Sequence, residues 1–254
     1  MPYASVNGVQ MYYEERGSGT PILGLHGAGS SAVFWEDAAE PLSELGRMII
    51  YDRRGSNRTE RPDPYDVTSV QEHADDAVAL LRELCAEPAV LIGRSYGGTV
   101  ALDAAIRHPS SVMGIALLEA GPMGLSPEYD TWFATVHAKA EAVQPRAVGE
   151  AVLREVFGAW DELPAVWRDV FTVNGPALLA ELRGGERTDN DRLTELAVPA
   201  LVVTAEASPE PIRRGSEALD RALPGARSVH VAGGHAIDPA GPDVLAFVAE
   251  LVRP

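Results

Sequence analysis

The chain has 254 residues, of which 46% are hydrophobic and 23% charged, a balance typical of a folded domain with a full core. Its formal net charge is −16, from 37 acidic against 21 basic side chains, and this charge would repel phosphate backbones and anionic lipid headgroups. We therefore expect neither nucleic acid nor a membrane as a partner, and the oligomeric state is left open.

The first residues lack the basic and apolar regions of a secretory signal peptide. No stretch is long and apolar enough to span a bilayer, and Cys85 has no second cysteine with which to form a disulfide or a CxxC metal site. The sequence therefore predicts a cytoplasmic protein.

Short apolar runs alternate with helical patterns along most of the chain. The predicted strands, in chain order, are GVQMYYEE, PILGLHG, RMIIYD, AVLIG, VMGIALLE, PALVVTAE and RSVHVAG. Apolar residues at helical spacing favour helices over 70–85, 99–108, 212–223 and 242–252. Ser69 and Glu72 form a capping box at the start of the first of these helices. This order predicts an α/β fold with a mostly parallel sheet flanked by helices.

Between residues 121 and 193 the alternation stops, and helical patterns broken by prolines take its place. We predict a helical cap insertion over 121–193 and a core domain made of 1–120 and 194–254. Trp132, Trp160 and Trp167 lie in the insertion. Packing is the more common role for such aromatic residues, but a share of them could line an apolar pocket for uncharged substrates.

The segment Gly93-Arg94-Ser95-Tyr96-Gly97-Gly98 follows an apolar strand and precedes an amphipathic helix. A serine on so sharp a turn needs small residues two positions before and after it, and Gly93 and Gly97 meet that need. The turn also places Ser95 at a helix N-terminus, where backbone N–H groups stabilise an oxyanion. The pattern predicts that Ser95 is a nucleophile.

Another strand ends in His26-Gly27-Ala28-Gly29, a loop that can bring a second backbone N–H toward the serine. We predict an oxyanion hole formed by the N–H groups of Ala28 and Tyr96. His26 is interpreted as a residue that shapes this loop. His235 follows the last predicted strand, and a base there can reach the nucleophile across the edge of a parallel sheet.

These segments, LHG, DRRGSNRT, GRSYGG and GGH, resemble the landmarks of the α/β-hydrolase superfamily in order and cover nearly the whole chain. The resemblance implies a serine hydrolase with a catalytic triad and without cofactor or metal. Asp52 lies in the segment that resembles the family's D-x-R-G-x-G-x-S loop and is interpreted as a scaffold residue. Asn57 and Thr59 depart from that pattern.

The acid of the triad departs from the commonest family arrangement. Relatives carry an aspartate a few residues past the penultimate strand, where this chain has Ser208. Certain haloalkane dehalogenases and a lactone-cleaving hydrolase place the acid one strand after the nucleophile, and Glu119 matches that position. We predict Glu119 as the acid, with Glu206, Glu210 and Asp238 as alternatives.

The resemblance implies hydrolysis of a small uncharged acyl ester or lactone through an acyl-enzyme on Ser95. Perhydrolases, thioesterases and carbon–carbon bond hydrolases share such triads and remain open, as does a ligand receptor on the same fold. Arg94, directly before the nucleophile, either pairs with a carboxylate and braces the turn or has no function.

Overall fold

The computed structural model describes residues 2–158 and 160–253. Eight strands within these residues form a single sheet. The strands are β1 (Tyr3–Val6), β2 (Val9–Arg16), β3 (Pro21–Leu25), β4 (Arg47–Tyr51), β5 (Ala89–Arg94), β6 (Val112–Leu118), β7 (Ala200–Ala205) and β8 (Arg227–Val231).

The sheet order is β1-β2-β4-β3-β5-β6-β7-β8. The pairs β1·β2 and β2·β4 are antiparallel, and every later pair is parallel. The predicted fold class is therefore confirmed. Among the strands, the sequence analysis missed only β1, a four-residue strand whose side chains alternate between exposed and buried.

Nine α-helices occur within the described residues. They are α1 (Glu36–Ser43), α2 (Val70–Glu83), α3 (Tyr96–Arg107), α4 (Pro127–Glu141), α5 (Val148–Phe157), α6 (Ala165–Val173), α7 (Gly175–Gly184), α8 (Glu210–Ala222) and α9 (Pro242–Val252). The Ser69 hydroxyl caps α2 by accepting a hydrogen bond of 3.1 Å from Glu72 N. Among these helices, none is both long and apolar enough to cross a membrane.

Helices cover both faces of the sheet. Successive residues of a strand point to opposite faces, so Ile22 packs with α1 and α9 while Leu23 packs with α2 and α3. Because helices cover both faces, the ends of the strands are left for a binding site. In sheets of this kind ligands bind at the carboxyl ends of the parallel strands.

Helices α4 to α7 all lie between β6 and β7. Apolar residues of α4, α5 and α7 form a separate buried cluster, which Ile212 of α8 joins and Ala28 contacts, while Phe171 of α6 belongs to a second small cluster. We propose residues 121–193 as a cap on that basis.

Candidate active site

The turn between β5 and α3 holds Ser95 in a strained backbone conformation, with φ of 53° and ψ of −125°. A Cβ on Gly93 would lie 2.3 Å from Gly97 O, and one on Gly97 would lie 2.3 Å from Leu25 O. Both glycines are therefore required by the close approach of backbone atoms. A non-glycine residue at positive φ is unfavourable, so the surrounding structure must hold Ser95 in this conformation.

His235 lies on the loop between β8 and α9 and lines the same cavity as Ser95. Its Nδ1 is 2.7 Å from Glu119 Oε2. Since Nδ1 faces the carboxylate, Nε2 is the ring nitrogen left for the serine.

Glu119 follows the end of β6 and is 2% exposed. Besides the contact with His235, its carboxylate accepts hydrogen bonds from Ala205 N at 3.0 Å and Ser208 Oγ at 2.5 Å. Its φ of 50° is also positive, so the backbone is held in an unfavourable region to aim this side chain.

The alternative acids lie elsewhere. Glu206, Glu210 and Asp238 are exposed, and none of them makes a hydrogen bond to His235. Ser208, which occupies the position of the usual family acid, is buried and donates its hydroxyl hydrogen to Glu119 instead. The arrangement thus brings together the three residues that the sequence analysis grouped.

The loop after β3 lies against the nucleophile, since a Cβ on Gly27 would be 3.6 Å from Ser95 Cβ. Gly27 O accepts hydrogen bonds from Ser30 N at 3.2 Å and Arg53 Nη2 at 3.1 Å. In a trans peptide the C=O and the following N–H point in opposite directions, so these bonds turn the Ala28 N–H away from Arg53. Tyr96 N is the first N–H of α3 and has no partner one turn earlier in that helix.

His26 shapes this loop through its ring. Its Nε2 accepts from Arg53 N at 3.0 Å, so its Nδ1 carries the hydrogen and donates to Gly27 O at 2.9 Å. Burial, with the nearby Arg53 cation, holds the pKa of His26 well below its usual value. The ring is therefore neutral, which suits one donor and one acceptor nitrogen.

A buried ion pair connects the loop to the insertion. Arg53 Nη2 lies 2.5 Å from Glu181 Oε1 of α7, and Glu181 Oε2 accepts from Gly29 N at 2.9 Å. Asn174 adds hydrogen bonds from Nδ2 to Gly29 O at 3.1 Å and Ser30 O at 2.8 Å. Sequence reasoning missed Glu181 and Asn174 because no local motif marks them, and it assigned no role to Arg53 within the segment DRRGSNRT.

Asp52 also has the contacts of a scaffold residue. It is fully buried and accepts hydrogen bonds from Ala32 N at 2.7 Å and Arg58 Nε at 2.7 Å.

The cavity above Ser95 is mostly apolar. Aromatic side chains of the insertion line it: Tyr129, Trp132, Phe133, Phe157, Trp167 and Phe171. Trp160 is buried against Leu153 and Phe171 and does not line the cavity. Of the three insertion tryptophans, two face the cavity and one serves packing.

Glu186 is a second residue that sequence reasoning missed. It lines the cavity, is 3% exposed, and accepts hydrogen bonds from the hydroxyls of Thr99, at 2.6 Å, and Tyr129. Burial raises the pKa of Glu186 to about 7 despite these hydrogen bonds, which favour the charged form.

Among residues 2–158 and 160–253, no group of three or more His, Cys, Asp or Glu side chains could hold a metal ion.

Comparisons with known proteins bear on the family of this chain. The chain is 37% identical over 107 residues to the uncharacterized hydrolase YraK of Bacillus subtilis, a match that covers 42% of this chain and 40% of YraK. It thus spans less than half the length of that curated relative.

Two solved structures match almost end to end. The enol-lactonase from Burkholderia xenovorans has a TM-score of 0.79 and 25% identity, covering 99% of this chain and 98% of that one. An enzyme that degrades N-acyl homoserine lactones has a TM-score of 0.72 and 27% identity, covering 99% of each chain. Residues 20–147, about half of the chain, match the family described as alpha/beta hydrolase fold. The chain therefore belongs to the family of enzymes that share the alpha/beta hydrolase fold.

Proposed function

We propose that this protein is a serine hydrolase that cleaves a carboxylic ester or lactone through an acyl-enzyme on Ser95. The observation that carries the proposal is the 2.7 Å contact between His235 Nδ1 and Glu119 Oε2, in a cavity that Ser95 also lines. A buried carboxylate on Nδ1 fixes the imidazole tautomer that has Nε2 free to act as a base.

The reaction proceeds in two halves. His235 Nε2 takes the proton of the Ser95 hydroxyl as Oγ attacks the carbonyl carbon, and Glu119 stabilises the imidazolium that forms. The oxyanion accepts hydrogen bonds from the N–H groups of Ala28 and Tyr96, each of which is worth about 10²-fold or more in rate. The imidazolium then returns its proton to the leaving alcohol. In the second half, water attacks the acyl-enzyme as His235 takes its proton, and that proton passes to Ser95 Oγ as the acid leaves.

The cavity supports acyl substrates with an apolar body. Its walls are mostly aromatic and aliphatic, and its smaller polar share includes Ser95, His235 and Glu186. Both structural neighbours described above act on lactones according to their names. A lactone is an ester whose leaving alcohol stays attached to the acyl chain, so the same reaction would open its ring.

Labelling with a fluorophosphonate probe tests the nucleophile, since only a hydroxyl activated by a base attacks phosphorus readily. We expect wild type to be labelled once and Ser95→Ala not at all. Ser30→Ala removes another hydroxyl that lines the cavity and should leave labelling unchanged. Labelling of Ser95→Ala, or none in wild type, would refute the assignment.

A panel of chromogenic esters, lactones and thioesters, measured as kcat/KM, tests the substrate class. We expect esters and lactones to be turned over many times per protein. Product that never exceeds the amount of protein would instead indicate a receptor, and a preference for thioesters would move the protein to that class.

A further inference from the structure

Arg94 places a cation beside the nucleophile without a counter-ion. It ends β5, directly precedes Ser95 and lines the cavity. Its Nε is buried without a hydrogen-bond partner, and in the described part of the chain its guanidinium makes no ion pair. By contrast, Arg53, Arg54 and Arg58, on the segment after β4, each bind a carboxylate. The bracing ion pair considered from the sequence is thus absent among these residues.

A half-buried arginine whose Nε is buried and unpaired is unusual, because guanidinium nitrogens removed from water are normally paired. Burial lowers the pKa of Arg94 to about 10, with Asp238 opposing the shift, so the group remains charged at neutral pH. Asp238 is exposed, and its carboxylate accepts a hydrogen bond from Ala240 N, at 2.9 Å, but none from Arg94.

The other ionisable groups of the cavity are accounted for. Glu119 faces His235, and Glu181 faces Arg53. Glu186 accepts hydrogen bonds from the hydroxyls of Thr99 and Tyr129, and its raised pKa of about 7 leaves it about half protonated at neutral pH. Among the described cavity residues, Arg94 is therefore the charge for which the protein supplies no partner, and it is an exception to the apolar lining that suggested an uncharged substrate.

We propose that Arg94 binds a carboxylate of the substrate, so that the preferred substrates are half-esters of dicarboxylic acids or lactones that carry a carboxylate. The planar guanidinium matches a carboxylate with two parallel hydrogen bonds. Because Arg94 is adjacent to Ser95 in the chain, this carboxylate and the scissile carbonyl belong to one small molecule. This inference rests on the proposed function and names its substrate class.

Water is the alternative partner for the Arg94 guanidinium. Arg94 also lines a surface cleft together with Trp167 and Asp238, and water there could solvate the guanidinium. An arginine that is only hydrated would not discriminate between charged and neutral substrates, and this difference makes the two states separable by experiment.

Matched pairs of substrates measure the discrimination. Monophenyl adipate is compared with phenyl hexanoate for a carboxylate on the acyl side, and 3-acetoxybenzoate with 3-acetoxybenzamide for one on the leaving group. We expect the ratio of kcat/KM, charged over neutral, to fall 10- to 100-fold in Arg94→Gln for one of the pairs, the scale of a lost hydrogen bond between charged groups.

Two further variants keep this test interpretable. Arg94→Lys retains the charge and should keep part of the ratio, while thermal unfolding followed by circular dichroism shows whether the variants are folded. Arg146→Gln removes an equal charge from an exposed position and should leave both ratios as in wild type. Ratios that stay unchanged in Arg94→Gln would overturn the proposal.

Binding without turnover separates this inference from the proposed function. Adipate is titrated by calorimetry into Ser95→Ala and into Ser95→Ala/Arg94→Gln. We expect binding to the first and at least a tenfold weaker affinity for the second. If no ester is hydrolysed, the proposed function fails while the adipate titration still decides the role of Arg94. Equal adipate affinities of the two variants, or no adipate binding to either, would refute the proposed role of Arg94.

Discussion

Ser208 Oγ and His235 Nδ1 both contact the same oxygen of Glu119, at 2.5 Å and 2.7 Å. Ser208 stands at the position where the resemblance led us to expect the triad acid, and its hydroxyl instead holds the carboxylate of Glu119. Ala205 N fixes the second oxygen at 3.0 Å. The glutamate is thereby aligned by the same strand end that carries the acid in other members of the family.

Replacing the proposed acid tests this arrangement. Glu119→Gln keeps the shape but removes the charge that stabilises the imidazolium, so kcat should fall by about 10³ to 10⁴. Glu206→Gln removes an exposed carboxylate that does not touch His235 and should change kcat little. Steady-state kinetics of the two variants decide the assignment, and a larger loss in Glu206→Gln would return the acid to the loop after β7.

Ser208 offers a second test. Ser208→Ala removes one hydrogen bond to a charged group, so we expect kcat to fall about 10-fold. In the Glu119→Gln background, Ser208→Asp places a carboxylate back at the usual family position. It should raise kcat at least 10-fold above that of Glu119→Gln alone. No gain in the double variant would mean that the two positions are not interchangeable.

The parts of the site that the sequence predicted are carried by short segments. Gly93 and Gly97 report the tight turn around Ser95 because backbone atoms leave no room for a Cβ there. His235 and Glu119 were predicted because each follows a strand, and parallel strands bring their carboxyl ends to one edge of the sheet.

Helix α1 was missed because its eight residues include Pro41 and give little periodic signal.

The supporting residues could not be found in this way. Arg53 and Glu181 are 128 positions apart and meet only when α7 packs over the loop after β3. Neither lies in a pattern whose spacing predicts the contact. Glu186, just past α7, likewise meets Thr99 and Tyr129 only in the folded chain.

The Arg53–Glu181 pair predicts a coupled loss of stability and activity. Glu181→Gln leaves a buried guanidinium unpaired and weakens the hold on Gly29 N, so the free energy of unfolding should drop by about 3 to 5 kcal/mol. Displacement of the Ala28 N–H should lower kcat more than it raises KM, because the oxyanion forms only in the transition state. Urea unfolding measures the loss of stability, and kinetics corrected for the folded fraction measure the loss of kcat. An unchanged kcat would show that the Arg53–Glu181 pair does not support the oxyanion hole.

The insertion tryptophans should divide by position. Trp132→Ala and Trp167→Ala enlarge the cavity and should shift kcat/KM toward longer acyl chains. Trp160→Ala should lower stability by about 3 to 5 kcal/mol without changing the chain-length preference, because its side chain is packed away from the cavity. A series of 4-nitrophenyl esters measures the preference. Unchanged profiles in both cavity variants would confine these residues to packing.

Glu186 should make stability depend on pH. Its pKa in the folded protein is about 7, above the ordinary 4.5, because burial disfavours the charged carboxylate. The folded state therefore binds a proton more tightly than the unfolded state does. This contribution to stability is complete below pH 4.5 and is lost as pH rises through 7. Glu186→Gln cannot ionise and should not lose this contribution. The free energy of unfolding of Glu186→Gln, minus that of wild type, should therefore increase by about 3 kcal/mol from pH 4 to pH 8. Urea unfolding at several pH values measures the difference, with Glu206→Gln as the exposed control. Curves for wild type and Glu186→Gln that run parallel over this range would show that Glu186 does not titrate there.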